Sequence, residues 1–124
     1  MAIESNLQSY PGLKATGDLS SSQFKVVKYS STDLAVKVVT ATTDTAIGIL
    51  QDKPTTGQEA NVAYAGISKL VSGTTVGWTA GATVGFDTTG RGVPGQAKIV
   101  GTYLDYGESV AVGTIVSVRL HPNH

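Results

Sequence analysis

Apolar and β-branched residues come along this chain in short bursts. Residues 24–29 read FKVVKY, and residues 34–39 read LAVKVV, with Leu34, Val36 and Val38 on one face and Lys37 on the other. AIGIL (46–50), NVAYAG (61–66), ISKLVS (67–72), ATVGFD (82–87), KIVGTYL (98–104) and TIVSVRL (114–120) follow, divided by Gly, Asp, Thr and Ser. The last burst alternates cleanly: Val116, Val118 and Leu120 point one way, Ser117 and Arg119 the other, as in a strand with one buried face. No long stretch carries apolar residues at the three-four spacing of an amphipathic helix. About eight short strands with turn signals between them predict an all-β fold, a small single-domain barrel or sandwich. The stretch DLSSSQF (18–24) has room for one helical turn, because Asp and Ser suit N-cap positions.

The first dozen residues, MAIESNLQSYPG, break the rhythm. Ile3, Leu7 and Tyr10 are apolar but do not alternate, and a Pro-Gly pair punctuates the chain after them. Residues 1–14 therefore read as an extended N-terminal arm, 15–121 as the β domain and 122–124 as a short tail. Two readings of the arm stand side by side. Termini commonly fray, whereas apolar anchors suit an arm that orders on a partner.

Length fits one domain, since 124 residues suffice to bury about two-thirds of the unfolded surface. There is no cysteine, which removes disulfides, thiol catalysis and thiolate metal sites. Nine basic and nine acidic side chains balance to zero net charge and form no run of one sign, so direct nucleic-acid binding is not expected. The apolar runs are too short to cross a membrane, and the N-terminus has neither the basic nor the apolar region of a secretory signal. Only 15% of residues are charged, below the usual quarter. A neutral surface of small side chains suits packing against protein.

Candidate chemistry is sparse. The histidines, His121 and His124, stand in the terminal HPNH. They read as exposed tail residues, and two ligands fall short of a metal site. Asp18, Asp33, Asp44, Asp52, Asp87 and Asp105 fall at strand ends or turns, where Asp characteristically bonds nearby main chain. No catalytic, cofactor-binding or metal-binding set emerges, and the chain is not expected to be an enzyme. Trp78, the only tryptophan, reads either as a core side chain or as an interface anchor. Tyr10, Tyr64, Tyr103 and Tyr106 lack the regular spacing of a nucleic-acid stacking platform.

GRGVPG (90–95) matches the glycine pattern of a dinucleotide-binding loop letter for letter. That loop works only between a strand and a helix N-terminus. Here FDTT precedes it and QAKIVGTYL, a strand-like segment, follows it, so the match reads as a turn. Gly90 and Gly92 are expected at positive φ, Pro94 sets the exit toward a strand beginning near Ala97, and Arg91 sits at the turn's tip.

The spacing of turns and strands from Thr16 to Leu120 resembles the small β-rich capsid decoration, or cement, proteins of tailed bacteriophages. The opening GDLSSSQFKVVKYS carries the resemblance, as do Gly48-Ile49-Leu50-Gln51-Asp52-Lys53-Pro54, Gly57 to Val62 and Gly66 to Gly73. Gly81, Val84, Asp87 and the Gly90-Arg91 turn continue it, and IVGTYLDYGESVAVGTIVSVRL closes it. The resemblance implies a structural protein of the virion, made in the bacterial host cytoplasm. It would bind the outer surface of the assembled capsid, with the major capsid protein and copies of itself, as a homotrimer at three-fold sites, for partners. No cofactor is implied. Ile3, Leu7, Tyr10, Trp78 and Arg91 are the candidate contact residues. A second reading, a carbohydrate-binding β module of a phage tail or fibre, rests on Trp78 and the tyrosines.

Overall fold

The computed structural model describes residues 2–30, 34–105, 107 and 109–121. They build ten strands: β1 (Ser5–Tyr10), β2 (Lys14–Ala15), β3 (Val26–Tyr29), β4 (Ala35–Val38), β5 (Gly48–Leu50), β6 (Val62–Val71), β7 (Thr83–Phe86), β8 (Gly92–Pro94), β9 (Gly101–Leu104) and β10 (Ile115–Leu120). No helix occurs among the described residues. The segment from Asp18 makes two successive hydrogen-bonded turns, in which Ser22 N–H donates to Leu19 O and Lys25 N–H to Ser22 O, and the Asp18 carboxylate caps Ser20 N–H.

All strands join one sheet in the order β2-β4-β3-β5-β6-β10-β9-β7-β8, with β1 added along β6. Every strand pair is antiparallel except β2 with β4. The far edge curls back toward the middle. A bridge links Ser72 to Gly92, and Val26 N–H donates to Gly90 O at 2.7 Å.

β6 is the central element. The two bursts NVAYAG and ISKLVS merge into this one strand of ten residues, with Gly66 inside it at φ 98°. Its first half pairs with β5 and β1, its second half with β10. The sheet around it is buried on both faces. Val26, Ile49 and Ala63 enter one core with Leu70, Phe86, Tyr103, Val116 and Val118. Their immediate neighbours Val27, Leu50 and Val62 enter a second core with Leu13, Leu19 and Val36. Double burial explains why these segments read as continuous apolar runs rather than alternating ones. Each fully buried Val, Leu, Ile or Phe contributes about 1.5–3 kcal/mol, so the doubly covered strands carry much of the stability.

Several side chains depart from the alternation read in the sequence. Ser117 is fully buried, not solvent-facing, because the N-terminal segment covers it: Ile3 N–H donates to Ser117 Oγ at 2.7 Å. Leu34 is 62% exposed at φ 56°. It lies in the turn before β4, so it leaves the face that Val36 occupies. Residues 5–10, read as part of an extended arm, are extended and laid along β6, with register shifts on either side of Gln8. Glu4 adds an ion pair to Lys69 at 3.8 Å, too solvent-exposed to contribute much.

Within GRGVPG, Gly90 has the expected positive φ of 82°, whereas Gly92 does not. Gly92 is glycine for closeness: a Cβ there would stand 3.0 Å from Leu70 Cγ and 3.3 Å from Val84 Cγ1. It opens β8, which ends at Pro94, and the next strand begins at Gly101 rather than near Ala97. Edge position explains the proline, since β8 pairs on one side with β7 and Pro cannot donate to a second neighbour.

Candidate binding surfaces

Two regions gather side chains capable of recognition. One is the loop cluster at the C-terminal end of β6. Gly73 N–H donates to Gly92 O at 2.8 Å and Gly113 N–H to Ser72 O at 2.9 Å. These bonds bring the loops around residues 73–82, 87–91 and 110–114 together. Ser72 is buried among them and its hydroxyl donates to Ala111 O. Asp87 organises the turn. Its carboxylate accepts from Thr89 N–H and hydroxyl and from Arg91 N–H. Burial alone would raise the Asp87 pKa. The bonds from Thr89, the Arg91 amide and the Arg91 charge outweigh it, and the carboxyl lies below its ordinary value. Arg91 is held inside this turn, with Nε donating to Thr89 Oγ1 and 3.6 Å from the Asp87 carboxylate.

Trp78 lies in the same cluster and is partly buried. Its indole N–H donates to Thr74 O at 2.8 Å, and its ring meets Tyr103 edge-on at 5.1 Å. It lids the first core. Beside it the loops expose Val76 (71%) and Val112 (55%), apolar side chains that no sequence periodicity singled out because both sit in loops.

The second region is the corner between β1 and β2. Tyr10 and Tyr64 lie on one face, with ring centroids 4.5 Å apart and planes at 33°. Register accounts for the contact, since Tyr10 pairs with Val62 and Tyr64 is the next residue on that face. Burial, then the nearby phenols of Tyr29 and Tyr64, push the Tyr10 pKa up. An open cleft of about 480 Å³ adjoins, lined by Tyr10, Pro11, Gly12, Asp52, Glu59, Ala60 and Asn61. The main chain fixes its walls: Ala60 N–H donates to Leu13 O and Gln51 N–H to Asn61 O, and Asp52 Oδ1 accepts from Asn61 N–H. Sequence spacing concealed this cleft, because its residues come from three separate stretches.

The remaining candidates are placed as follows. Ile3 bonds Ser117, and Leu7 packs on the first core. His121 is half-buried, with its ring nitrogen 2.8 Å from Thr102 Oγ1, rather than an exposed tail residue. The aspartates at turns bond main chain as expected: Asp18, Asp52 and Asp87 as above, Asp44 to Thr40 and Ala41 N–H, and Asp105 to Gly107 N–H. Asp33, Tyr106, Glu108, His124 and the 122–124 tail lie outside the described residues. Among the described residues no group of three or more His, Asp or Glu is placed to hold a metal ion.

Neither a family model nor a curated protein sequence matches the chain. The fold is similar to a solved structure, the N base of head fiber gp8.5 of bacteriophage phi29. That likeness has a TM-score of 0.69 at 14% identity and covers 94% of this chain and 96% of that one. At that identity it is a likeness of fold.

Proposed function

We propose that this protein is a structural component of a bacteriophage virion that attaches to the outside of the head as a decoration protein. The observation that carries the reading is the fold likeness to a phage head-fiber base, which spans nearly the whole of both chains. The turn-and-strand resemblance to capsid decoration proteins, from Thr16 to Leu120, points the same way. In this reading the protein is not an enzyme. Its partners are the major capsid protein and, in a homotrimer, copies of itself. It acts by linkage: a ligand that binds only the assembled shell stabilises that shell by RT ln(1 + [L]/Kd). A trimer engaging equivalent sites gains avidity without new contacts.

We assign shell contact to the loop cluster at the end of β6. There Val76 and Val112 are exposed, Trp78 presents its remaining face, and Arg91 is fixed in orientation by Asp87 and Thr89. Ile3, Leu7 and Tyr10 are proposed as secondary contacts through their exposed portions. The test is co-sedimentation of purified protein with expanded, undecorated shells, with the shell's thermal disruption as second readout. Binding, a raised disruption temperature, and loss of both in V76D and V112D are expected. No binding at saturating protein overturns the reading. Full binding by both variants overturns the assigned surface.

A further inference from the structure

The Tyr10 corner has the composition of a site for a polyhydroxylated ring. A pyranose has one face of C–H groups and a rim of hydroxyls that both donate and accept. Recognising it takes a flat apolar platform beside fixed polar groups of both kinds, in a cleft a few hundred Å³ in volume. The corner supplies each part. Tyr10, backed by the Tyr64 ring packed against it, stands with Pro11 at the wall of a cleft of about 480 Å³. Asp52 and Glu59 supply acceptors, and the exposed Asn61 supplies an amide that donates and accepts.

The main chain that carries these groups, and the Asp52 carboxylate itself, are held in place before any ligand arrives. Asp52 Oδ1 is bonded to Asn61 N–H at 3.2 Å. The segment from Leu13 to Lys14 is tied to Glu59 and Ala60 by a β-bridge and a 2.8 Å hydrogen bond. Such preorganisation reduces the ordering cost of binding. The carboxylates also choose among sugars, since they repel uronic acids and sulfated rings.

We propose that this corner binds a neutral saccharide. The C–H face of one pyranose ring lies on Tyr10 and Pro11, its vicinal hydroxyls donate to Asp52 and Glu59, and the Asn61 amide bonds the remaining rim. The site shares Tyr10 with the secondary shell contacts but lies apart from the loops assigned the main shell contact, and V76D and V112D test those loops alone, so either reading can fail alone. A basic peptide segment is the rival occupant, because carboxylates beside a tyrosine also suit an ammonium or guanidinium group. The Asn61 amide favours the sugar, since each ring hydroxyl both donates and accepts, whereas a lysine or arginine side chain offers donors only.

The experiment titrates ¹⁵N-labelled full-length protein with neutral hexose and N-acetylhexosamine oligosaccharides in one arm and neutral bacterial polysaccharide in another. A lysine- and arginine-rich peptide is the third arm. Binding in either sugar arm, with amide shifts confined to residues 10, 12, 52 and 59–61, is expected, and the arm that binds tells a chain-end ring from an internal one. N61A and E59Q, both at exposed positions, are expected to weaken binding about tenfold each, the loss of one hydrogen bond. Saturation transfer from tyrosine ring protons to pyranose C–H protons reports the stacking. Silence in both sugar arms at millimolar ligand, shifts on another face, or binding of the basic peptide alone overturns the proposal.

Discussion

Replacing Gly66 by alanine tests how the N-terminal strand is held. Gly66 has φ 98°, a conformation that costs an L-residue about 1–2 kcal/mol. Space is the second cost. A Cβ at Gly66 would stand 2.7 Å from the Asn6 carbonyl carbon and 2.8 Å from Ser5 O, closer still to Asn6 O. All of these are main chain of β1, so no rotamer change relieves them. β1 must move against its irregular ladder to β6, and its side-chain anchors are weak. Leu7 is only partly buried on the core, worth about 1 kcal/mol by area. The Ile3–Ser117 bond adds about 1 kcal/mol. Gly57 provides the control: its φ is 81°, but nothing lies within 4 Å of a Cβ built there.

G57A is therefore expected to lose about 1–2 kcal/mol from the backbone term alone, or roughly 3–8 °C in Tm, with exchange protection reduced evenly. G66A carries the same term and releases β1 as well. Amides of residues 5–10 are expected to lose about 30-fold more protection than the rest of the sheet, corresponding to about 2 kcal/mol. The Tyr10–Tyr64 ring contact should vanish from NOE spectra. The assay is native-state hydrogen exchange on both variants. Equal loss of β1 protection in G66A and G57A would refute the claim that close approach at Gly66 seats this strand.

The remaining predictions concern the loops and the carboxylates. The Lys28 ammonium, 2.9 Å away, and the amides of Thr40 and Ala41 hold the Asp44 carboxyl far below its ordinary range, and Asp87 is lowered too. A carboxyl depressed on folding stabilises the protein above its unfolded value near ~3.9 and loses that contribution as pH falls through the folded value. Tm should hold from neutral pH to mild acid and drop below about pH 4, with a shallower drop in D44N; identical acid limbs would count against the Asp44 network. D87A should lower stability by about 1.5–3 kcal/mol, the range for bonds to a charged acceptor, and sharpen proteolysis at residues 87–91; an intact turn in the variant would show that the carboxylate is dispensable. W78A should cost about 1.5–2.5 kcal/mol, half the figure for a fully buried aromatic, and an unchanged Tm would mean that the indole is no lid. Trp78 emission should be blue-shifted in the native protein and move red on unfolding.

Much of the domain was legible because its strands carry side-chain signals long enough to see. β3, β4, β5, β7, β9 and β10 fall inside bursts read from the sequence, and the aspartates at turns bond main chain as their chemistry dictates. What escaped has physical causes. β2 and β8 are two and three residues long, shorter than any periodicity. β6 was divided at Gly66 because glycine inside a strand resembles a stop; here it is a site of close approach to β1. Ser117 looked solvent-facing because alternation describes a strand's own two faces, not what the rest of the chain lays over them. The candidate residues Trp78 and Arg91 sit in one loop cluster, but nothing in the sequence paired them with Thr74, Asp87 and Tyr103. The Tyr10 cleft was invisible for the same reason: its walls meet only after β1 docks.

The bond between Ile3 and Ser117 spans 114 positions, and it has a kinetic meaning. A contact between the two ends of the fold adds nothing until almost the entire sheet exists to bring its partners together. Loop-closure entropy grows slowly, by about 0.6 kcal/mol per doubling of length, but it must be met before such a contact returns anything, and nonlocal pairing slows folding. The N-terminal segment, synthesised before β6 and β10, is thus among the last to settle. Until β6 and β10 are in place, Ile3, Leu7 and Tyr10 remain uncovered, so the N-terminal segment closes the fold rather than starting it.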